Sequence, residues 1–147
     1  MAVTSEFDER LVAKLRERGL RVTPQRIVIH RALCARNQHL TAEQVLGRVS
    51  EVLPGTSLPT VYSTLELLEG LGLIRRVGAG NGALVFDSRV EPHAHTVCRQ
   101  CGAIADIDGA TAPGDVLTRA RATGFVPDHA QLVVWGLCRA CAAATVG

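Results

Sequence analysis

The sequence predicts an α+β chain: four helices closed by a β-hairpin, then a small unit of strands and one helix. Three observations carry this. Apolar residues recur at helical spacing from Phe7 to Leu71, and two short extended runs follow. Beyond Pro92 large apolar side chains thin out, and two pairs of cysteines appear in their place. With 147 residues the chain fits one domain or two small ones, and 47% hydrophobic with 20% charged residues is ordinary globular composition.

Phe7, Leu11 and Leu15 stand at i, i+4 and i+8 and predict an amphipathic helix over 6–18, ending near Gly19. Thr23-Pro24 reads as an N-cap followed by proline at the first helical position. The helix it opens runs to about Ala35, with Ile27, Val28, Ile29, Ala32 and Leu33 facing the core. Thr41-Ala42-Glu43-Gln44 fits a capping box ahead of the stripe Val45, Leu46, Val49, and Pro54-Gly55 ends that helix. Ser57-Leu58-Pro59 opens a fourth, with Val61, Leu65, Leu68 and Leu71 on one side and Thr60, Tyr62, Ser63, Glu66 and Glu69 on the other. Leu73–Val77 and Ala83–Phe86 read as strands joined by a tight turn over Gly78-Ala79-Gly80-Asn81-Gly82. Three helices, a fourth, then a hairpin is the order of a winged helix-turn-helix, with the hairpin as wing.

Ser88–Pro92 is polar and proline-terminated, a hinge that divides residues 1–87 from 93–147. Past it, His95–Cys98, Ala103–Ile107 and Leu132–Leu137 read as strands, and Thr111–Thr123 as a helix closed by Gly124. A unit this small rarely holds together on its core alone; a metal or oligomerisation usually supplements it.

The net charge of +2 hides an asymmetry. From Arg10 to Arg36 there are eight basic residues against Glu17 alone, +7 over that stretch, whereas Ser88–Gly147 holds five basic and five acidic residues. A basic N-terminal face on a neutral remainder points to a polyanion partner. The start MAVTSEFDER lacks a basic n-region and an apolar h-region, and no apolar run approaches the roughly 18 residues of a membrane span. The expected location is the cytoplasm, where thiols stay reduced.

That compartment decides how the cysteines read. Cys98-Arg99-Gln100-Cys101 and Cys138-Arg139-Ala140-Cys141 offer four thiolates in two close pairs, each able to span one edge of a tetrahedral zinc site. The 36 residues between the pairs exceed the gap of a zinc ribbon, so the metal would staple distant segments. Two disulfides or four unrelated thiols are the alternatives, and nothing suggests an oxidising compartment. Cys34 has no partner in sequence and reads as a buried helix residue; His30, amid arginines, reads as a surface residue. His93-Ala94-His95 alternates in an extended segment, which points both imidazoles to one side. His39, His129, Asp87, Asp106 and Glu91 are candidates to complete a nitrogen–oxygen shell suited to Fe2+, Mn2+ or Zn2+.

Taken together, these motifs resemble the ferric uptake regulator family of bacterial metal-dependent repressors. The matching pieces are Gly19-Leu20-Arg21-Val22-Thr23-Pro24-Gln25-Arg26, His39-Leu40-Thr41-Ala42-Glu43, Thr60-Val61-Tyr62-Ser63-Thr64-Leu65 and Phe86-Asp87. They continue with His93-Ala94-His95-Thr96-Val97-Cys98-Arg99-Gln100-Cys101-Gly102 and Trp135-Gly136-Leu137-Cys138-Arg139-Ala140-Cys141, in family order. The resemblance implies a homodimer whose winged helix binds double-stranded operator DNA and whose C-terminal α/β unit dimerises, with no membrane and no small-molecule substrate as partner. It implies one structural zinc per subunit on Cys98, Cys101, Cys138 and Cys141. It also implies one regulatory Fe2+ or Mn2+ on His39, Asp87, His93, His95 and Asp106. The metal would act as corepressor by favouring a closed form.

Asp106, where iron-uptake repressors more often carry glutamate, resembles the peroxide-sensing branch. There, bound iron lets hydrogen peroxide oxidise a ligand histidine, by position His39 or His93. The alternative is an iron- or zinc-uptake repressor that senses metal level. For DNA, the resemblance implies Arg16 in the minor groove and the fourth helix in the major groove, with Thr60, Tyr62, Ser63 and Thr64 toward the bases. Arg21, Arg26, Arg75 and Arg76 would take phosphates. Pro92 and Ala94 stand where some relatives have ligands of a third site, so a full third site is not expected. Ser63 replaces an arginine, so operator preference is expected to differ. A zinc hydrolase using His93, His95 and Glu91 is set aside because no substrate pocket is readable, and the protein is expected not to be an enzyme. A thiol switch on the C-x-x-C pairs is the other competitor.

Overall fold

The computed structural model describes residues 5–35, 39–78, 84–91, 93–109 and 113–145. Arg36, Pro92, all of the predicted 78–82 turn except Gly78, and the start of the predicted 111–123 helix lie outside the described residues. The described chain falls into two compact units, one drawn from residues up to 78 and from 84 to 90, the other from 91 onward.

The first unit is built from α1 (Glu6–Glu17), α2 (Pro24–Cys34), α3 (Ala42–Val52) and α4 (Leu58–Gly70), then β1 (Arg75–Gly78) and β2 (Leu84–Asp87). Each helix starts at a side-chain cap: Ser5, Thr23, Thr41 and Ser57 oxygens accept from the backbone N–H three residues on. At Thr41 the box is complete, since Gln44 Oε1 accepts from the Thr41 N–H at 2.9 Å. Gly72, at φ +72°, turns the chain out of α4 while Leu73 N–H bonds back to Leu68 O at 3.0 Å. Leu11, Leu15, Ile29, Leu33, Val45, Val49, Val61, Leu65 and Leu68 are fully buried in one core. At roughly 1.5–3 kcal/mol for each such side chain, this core is the main stabilising contribution of the unit. Strands β1 and β2 pair antiparallel, with Arg76 opposite Phe86, and Leu40 forms an isolated bridge to Phe86 on the other edge of β2.

One feature was not anticipated by the sequence reading, and two depart from it. Asp8 is buried on α1, where Arg31 of α2 grips it through Nε at 2.9 and 3.1 Å. That guanidinium holds the carboxyl below the usual carboxylate range. His30 is 2% exposed and so is not a surface residue. α2 packs against α1, α3 and α4, which covers positions 29, 30 and 33 together. Its Nε2 lies 3.5 Å from Cys34 Sγ. Cys34 itself is half-buried, and burial pushes its thiol up to about 11.

Burial lowers His30 to about 4, so its imidazole is neutral in the fold. Between pH 6.5 and 4 the unfolded chain binds a proton the native state refuses. This contribution is fully present above 6.5 and is lost as pH falls toward 4, about 3 kcal/mol in all. His30→Leu is expected to flatten urea-unfolding stability across that window; an unchanged slope would assign the acid limb to other groups.

In the second unit, β3 (Ala94–Cys98) lies between β4 (Ile104–Ile107), antiparallel, and β5 (Val133–Gly136), parallel. α5 (Gly114–Ala122) precedes β5, and α6 (Arg139–Ala144) follows it. The sequence reading missed α6; its signal was the alanine run 142–144 after a Cys138 cap, whose Sγ accepts from Cys141 N–H at 3.5 Å. The buried residues described here are His93, Ala94, His95, Val97 and Cys98, and α5 and α6 bury none. No helix among the described residues is long and apolar enough to cross a membrane.

Candidate metal centres and nucleic-acid face

Cys98 ends β3, and Cys101 sits in the turn that Gly102 N–H closes onto Cys98 O at 2.9 Å. Cys138 and Cys141 stand at the start of α6, two residues past β5. Parallel pairing of β3 with β5 puts both cysteine pairs at the same end of the sheet, and the four Sγ atoms lie within 4.8 Å of one another. All are free thiols. The Cys101–Cys138 separation of 3.8 Å is far beyond a disulfide bond. It matches the edge of about 3.8 Å that a tetrahedron with Zn–S of about 2.3 Å requires.

Electrostatics point the same way. Backbone N–H groups of Cys101 and Cys138 lower Cys98 to about 6. Cys141 is pushed up to about 12, chiefly by side-chain hydrogen bonding with Cys138 and by desolvation, so its thiol resists ionising beside the other sulfurs. A divalent cation among them removes that conflict, so the residues fit a tetrahedral thiolate site.

A second donor group in this unit is nitrogen and oxygen. His95 and Asp106 are register partners across β3–β4. Asp106 Oδ1 lies 3.1 Å from His93 Nε2 and 3.3 Å from His95 Nε2. His93 Nδ1 donates to Glu91 O at 2.7 Å, which leaves the Nε2 lone pair facing the carboxylate. A lone pair and an anion at that distance require a proton or a cation between them, and a backbone-oriented imidazole is the usual support of a metal ligand. In the first unit His39 Nε2 lies 3.3 Å from Asp87 Oδ2, and Asp87 is 1% exposed. The Leu40–Phe86 bridge fixes this pair, since each residue is adjacent in sequence to a member of it. Glu91 and His129 have exposed side chains outside both donor groups.

On α4, Tyr62 and Ser63 are exposed and Thr60 is half-buried. Thr64 does not join them: at 6% exposure it packs on the core face with Val61, Leu65 and Leu68. Arg16 and Arg21 are exposed, and Arg26 Nη1 donates to Arg21 O at 2.5 Å. The wing arginines are engaged within the unit: Arg75 Nε donates to Val90 O at 2.8 Å, and Arg76 Nε to Glu69 Oε2 at 3.0 Å.

A helical unit that presents one arc of its fourth helix, followed by a small mixed sheet with thiolate and imidazole–carboxylate donors, has the parts that a metal-responsive transcriptional regulator needs. The profile of the ferric uptake regulator family matches residues 17–135, and the chain belongs to that family. It is 38% identical over 129 residues to the transcriptional regulator FurA of Mycobacterium tuberculosis, covering 87% of each chain. To the peroxide-responsive repressor PerR of Staphylococcus aureus it is 30% identical over 133 residues, covering 90% of each. A zinc uptake regulator solved with zinc and DNA superposes with a TM-score of 0.67 at 26% identity, over 97% of this chain and 99% of that one.

Proposed function

We propose that the protein is a homodimeric, metal-dependent repressor that binds operator DNA through α4 and releases it when hydrogen peroxide oxidises a ligand histidine. The observation that carries this is Asp106, whose one carboxylate oxygen faces the Nε2 atoms of both His93 and His95. These three donors, with His39 and Asp87 from the first unit, make a five-donor nitrogen–oxygen set for one Fe2+ or Mn2+. Donors drawn from two units gain from sharing an ion only in the conformation that brings them together. Occupancy therefore favours that conformation by its differential affinity.

Iron(II) in this set would supply the chemistry that lets peroxide oxidise an imidazole, at His39 or His93. An oxidised imidazole has lost the lone pair that made it a ligand, so the chain loses a donor and the closed form its support. An aspartate at 106, where the resemblance places glutamate in iron-uptake repressors, supports peroxide sensing over metal-level sensing. The four thiolates Cys98, Cys101, Cys138 and Cys141 would hold zinc. Val116, Phe125, Val126, Val134 and Trp135 are exposed on a unit with little core, which supports burial against a second copy. Exposed Arg16, Arg21, Tyr62 and Ser63 would meet the duplex, with Thr60 at the edge of that arc.

Mass spectrometry after peroxide treatment tests the sensor. The iron-loaded protein is expected to gain one oxygen on a peptide carrying His39 or His93, and the manganese-loaded protein none. Unchanged histidines, with operator release following iron removal alone, would make it a metal-level sensor.

A further inference from the structure

Arg76, Phe86 and Leu40 lie side by side across three extended segments. Arg76 and Phe86 are partners in the β1–β2 ladder, and Phe86 exchanges backbone bonds of 2.8 and 3.2 Å with Leu40 on its other edge. Leu40 stands between His39 and Thr41, the N-cap of α3, and Phe86 precedes Asp87. The Phe86 ring is 1% exposed, and the Arg76 guanidinium sits over it, 5.5 Å from its centroid. The same guanidinium is held by Glu69 in the last turn of α4, at 3.0 Å. The strand that carries Asp87 is thus tied to the start of α3 on one side and to the end of α4 on the other. A guanidinium that both covers a fixed ring and pairs with a carboxylate has its position set from two directions.

We infer that Arg76 is a positioning residue: anchored by Glu69, it transmits the state of the His39–Asp87 donor pair to the DNA-reading helix, instead of clamping a phosphate. This rests on the regulator reading above and assigns the element that carries its switch. Leu40 and Phe86 move together because two backbone bonds join them. A change at the donor pair therefore reaches the α3 cap through Leu40, and the α4 terminus through Phe86, Arg76 and Glu69.

The two roles for Arg76 predict opposite effects at Glu69. Beside a phosphate-binding arginine, an acid competes with DNA, and its removal tightens binding. As an anchor, its removal weakens the metal-dependent part of binding.

The test uses the full chain, Mn2+ as the probe metal, a duplex selected in vitro by the Mn2+-loaded wild type, and a scrambled duplex, across a range of salt concentrations. Glu69→Gln and Arg76→Gln are each expected to weaken Mn2+-loaded binding to the selected duplex about 10-fold, a typical coupling between sites. The double variant should be no weaker than either single one. Scrambled-duplex affinity and the salt slope should stay as in wild type. Tighter binding by Glu69→Gln, or a salt slope reduced by about 1 on both duplexes in Arg76→Gln, would overturn the inference in favour of a phosphate contact. Should a glutamine variant melt early, Arg76→Lys and Glu69→Asp are measured in its place against the same outcomes. A wild type that binds the selected duplex equally with and without Mn2+ would overturn the regulator reading itself.

Discussion

Replacing Cys138 by serine is expected to unfold the second unit and leave the first one folded. The serine hydroxyl keeps an acceptor at the N-cap of α6, so the change removes the thiolate and spares the cap. A structural zinc contributes about 10–16 kcal/mol of apparent binding free energy in small metal-folded domains. A unit whose described core is Ala94, Val97, Cys98 and two histidines has no comparable reserve, since cores of this size supply about 3–5 kcal/mol at best. The first unit has its own core of Leu11, Leu15, Ile29, Leu33, Leu65 and Leu68 and does not need the ion. Zinc per chain should fall to near zero, Trp135 emission should lose its thermal transition, and far-UV helical signal should persist. A variant that keeps stoichiometric zinc with an unchanged Trp135 melt would refute the four-thiolate site.

Asp106→Asn is expected to abolish metal-responsive DNA binding while leaving both units folded. Asparagine keeps the shape and one oxygen but removes the charge that faces the two imidazoles 3.1 and 3.3 Å away. Changes one shell out from a metal cost 10–100-fold in affinity, so loss of a shared anion inside the shell should cost at least about 100-fold for Mn2+. Apo-protein binding to nonspecific DNA should be untouched, because Asp106 belongs to the second unit and the basic face to the first. Isothermal titration with Mn2+ and a gel shift over the same metal range measure the two effects together. Full Mn2+ response in the variant would remove Asp106 from the shell and return the choice of ligands to the histidines alone.

The four helices were legible because each carries its own start signal and an apolar stripe, both of which are local. Strand ends were less so: Leu73 and Ile74 look extended in sequence, yet they are buried between α4 and β1, and pairing begins only at Arg75. Side-chain pairings and burial set by partners distant in sequence were missed outside the metal donors. Asp8 and Arg31 are 23 residues apart, and nothing in either segment marks them as a pair. His30 sits among arginines, and only the packing of three helices around α2 removes it from solvent. Thr64 looks like its polar neighbours Ser63 and Thr60, but the helical turn places it over Val61 and Leu65.

The cysteine pairs and the alternating His-x-His were visible by residue type and spacing, whereas the choice of His39, Asp87 and Asp106 over His129 and Glu91 came from the family resemblance. What the sequence could not show is that one oxygen of Asp106 faces both imidazoles, a matter of β3–β4 register. Nor could it show that Arg76 is occupied by Glu69 and Phe86.

The parallel neighbours β3 and β5 have one more consequence, for the order of events as the chain folds. Two strands running the same way cannot be joined by a hairpin, so β4, α5 and the loops around them must be laid down before β5 docks. Until it docks, Cys98 and Cys101 wait alone, and two sulfurs make a poor chelate. Ion capture by the four sulfurs would therefore be a late event in the biogenesis of this protein. A chelator added partway through refolding should arrest a species with a finished helical half and an unassembled partner. In this species Tyr62 reports on the finished half and Trp135, the chain's sole tryptophan, on the unassembled one. Cellular zinc supply at the time of synthesis would then set how many molecules mature at all, upstream of any signal they later receive.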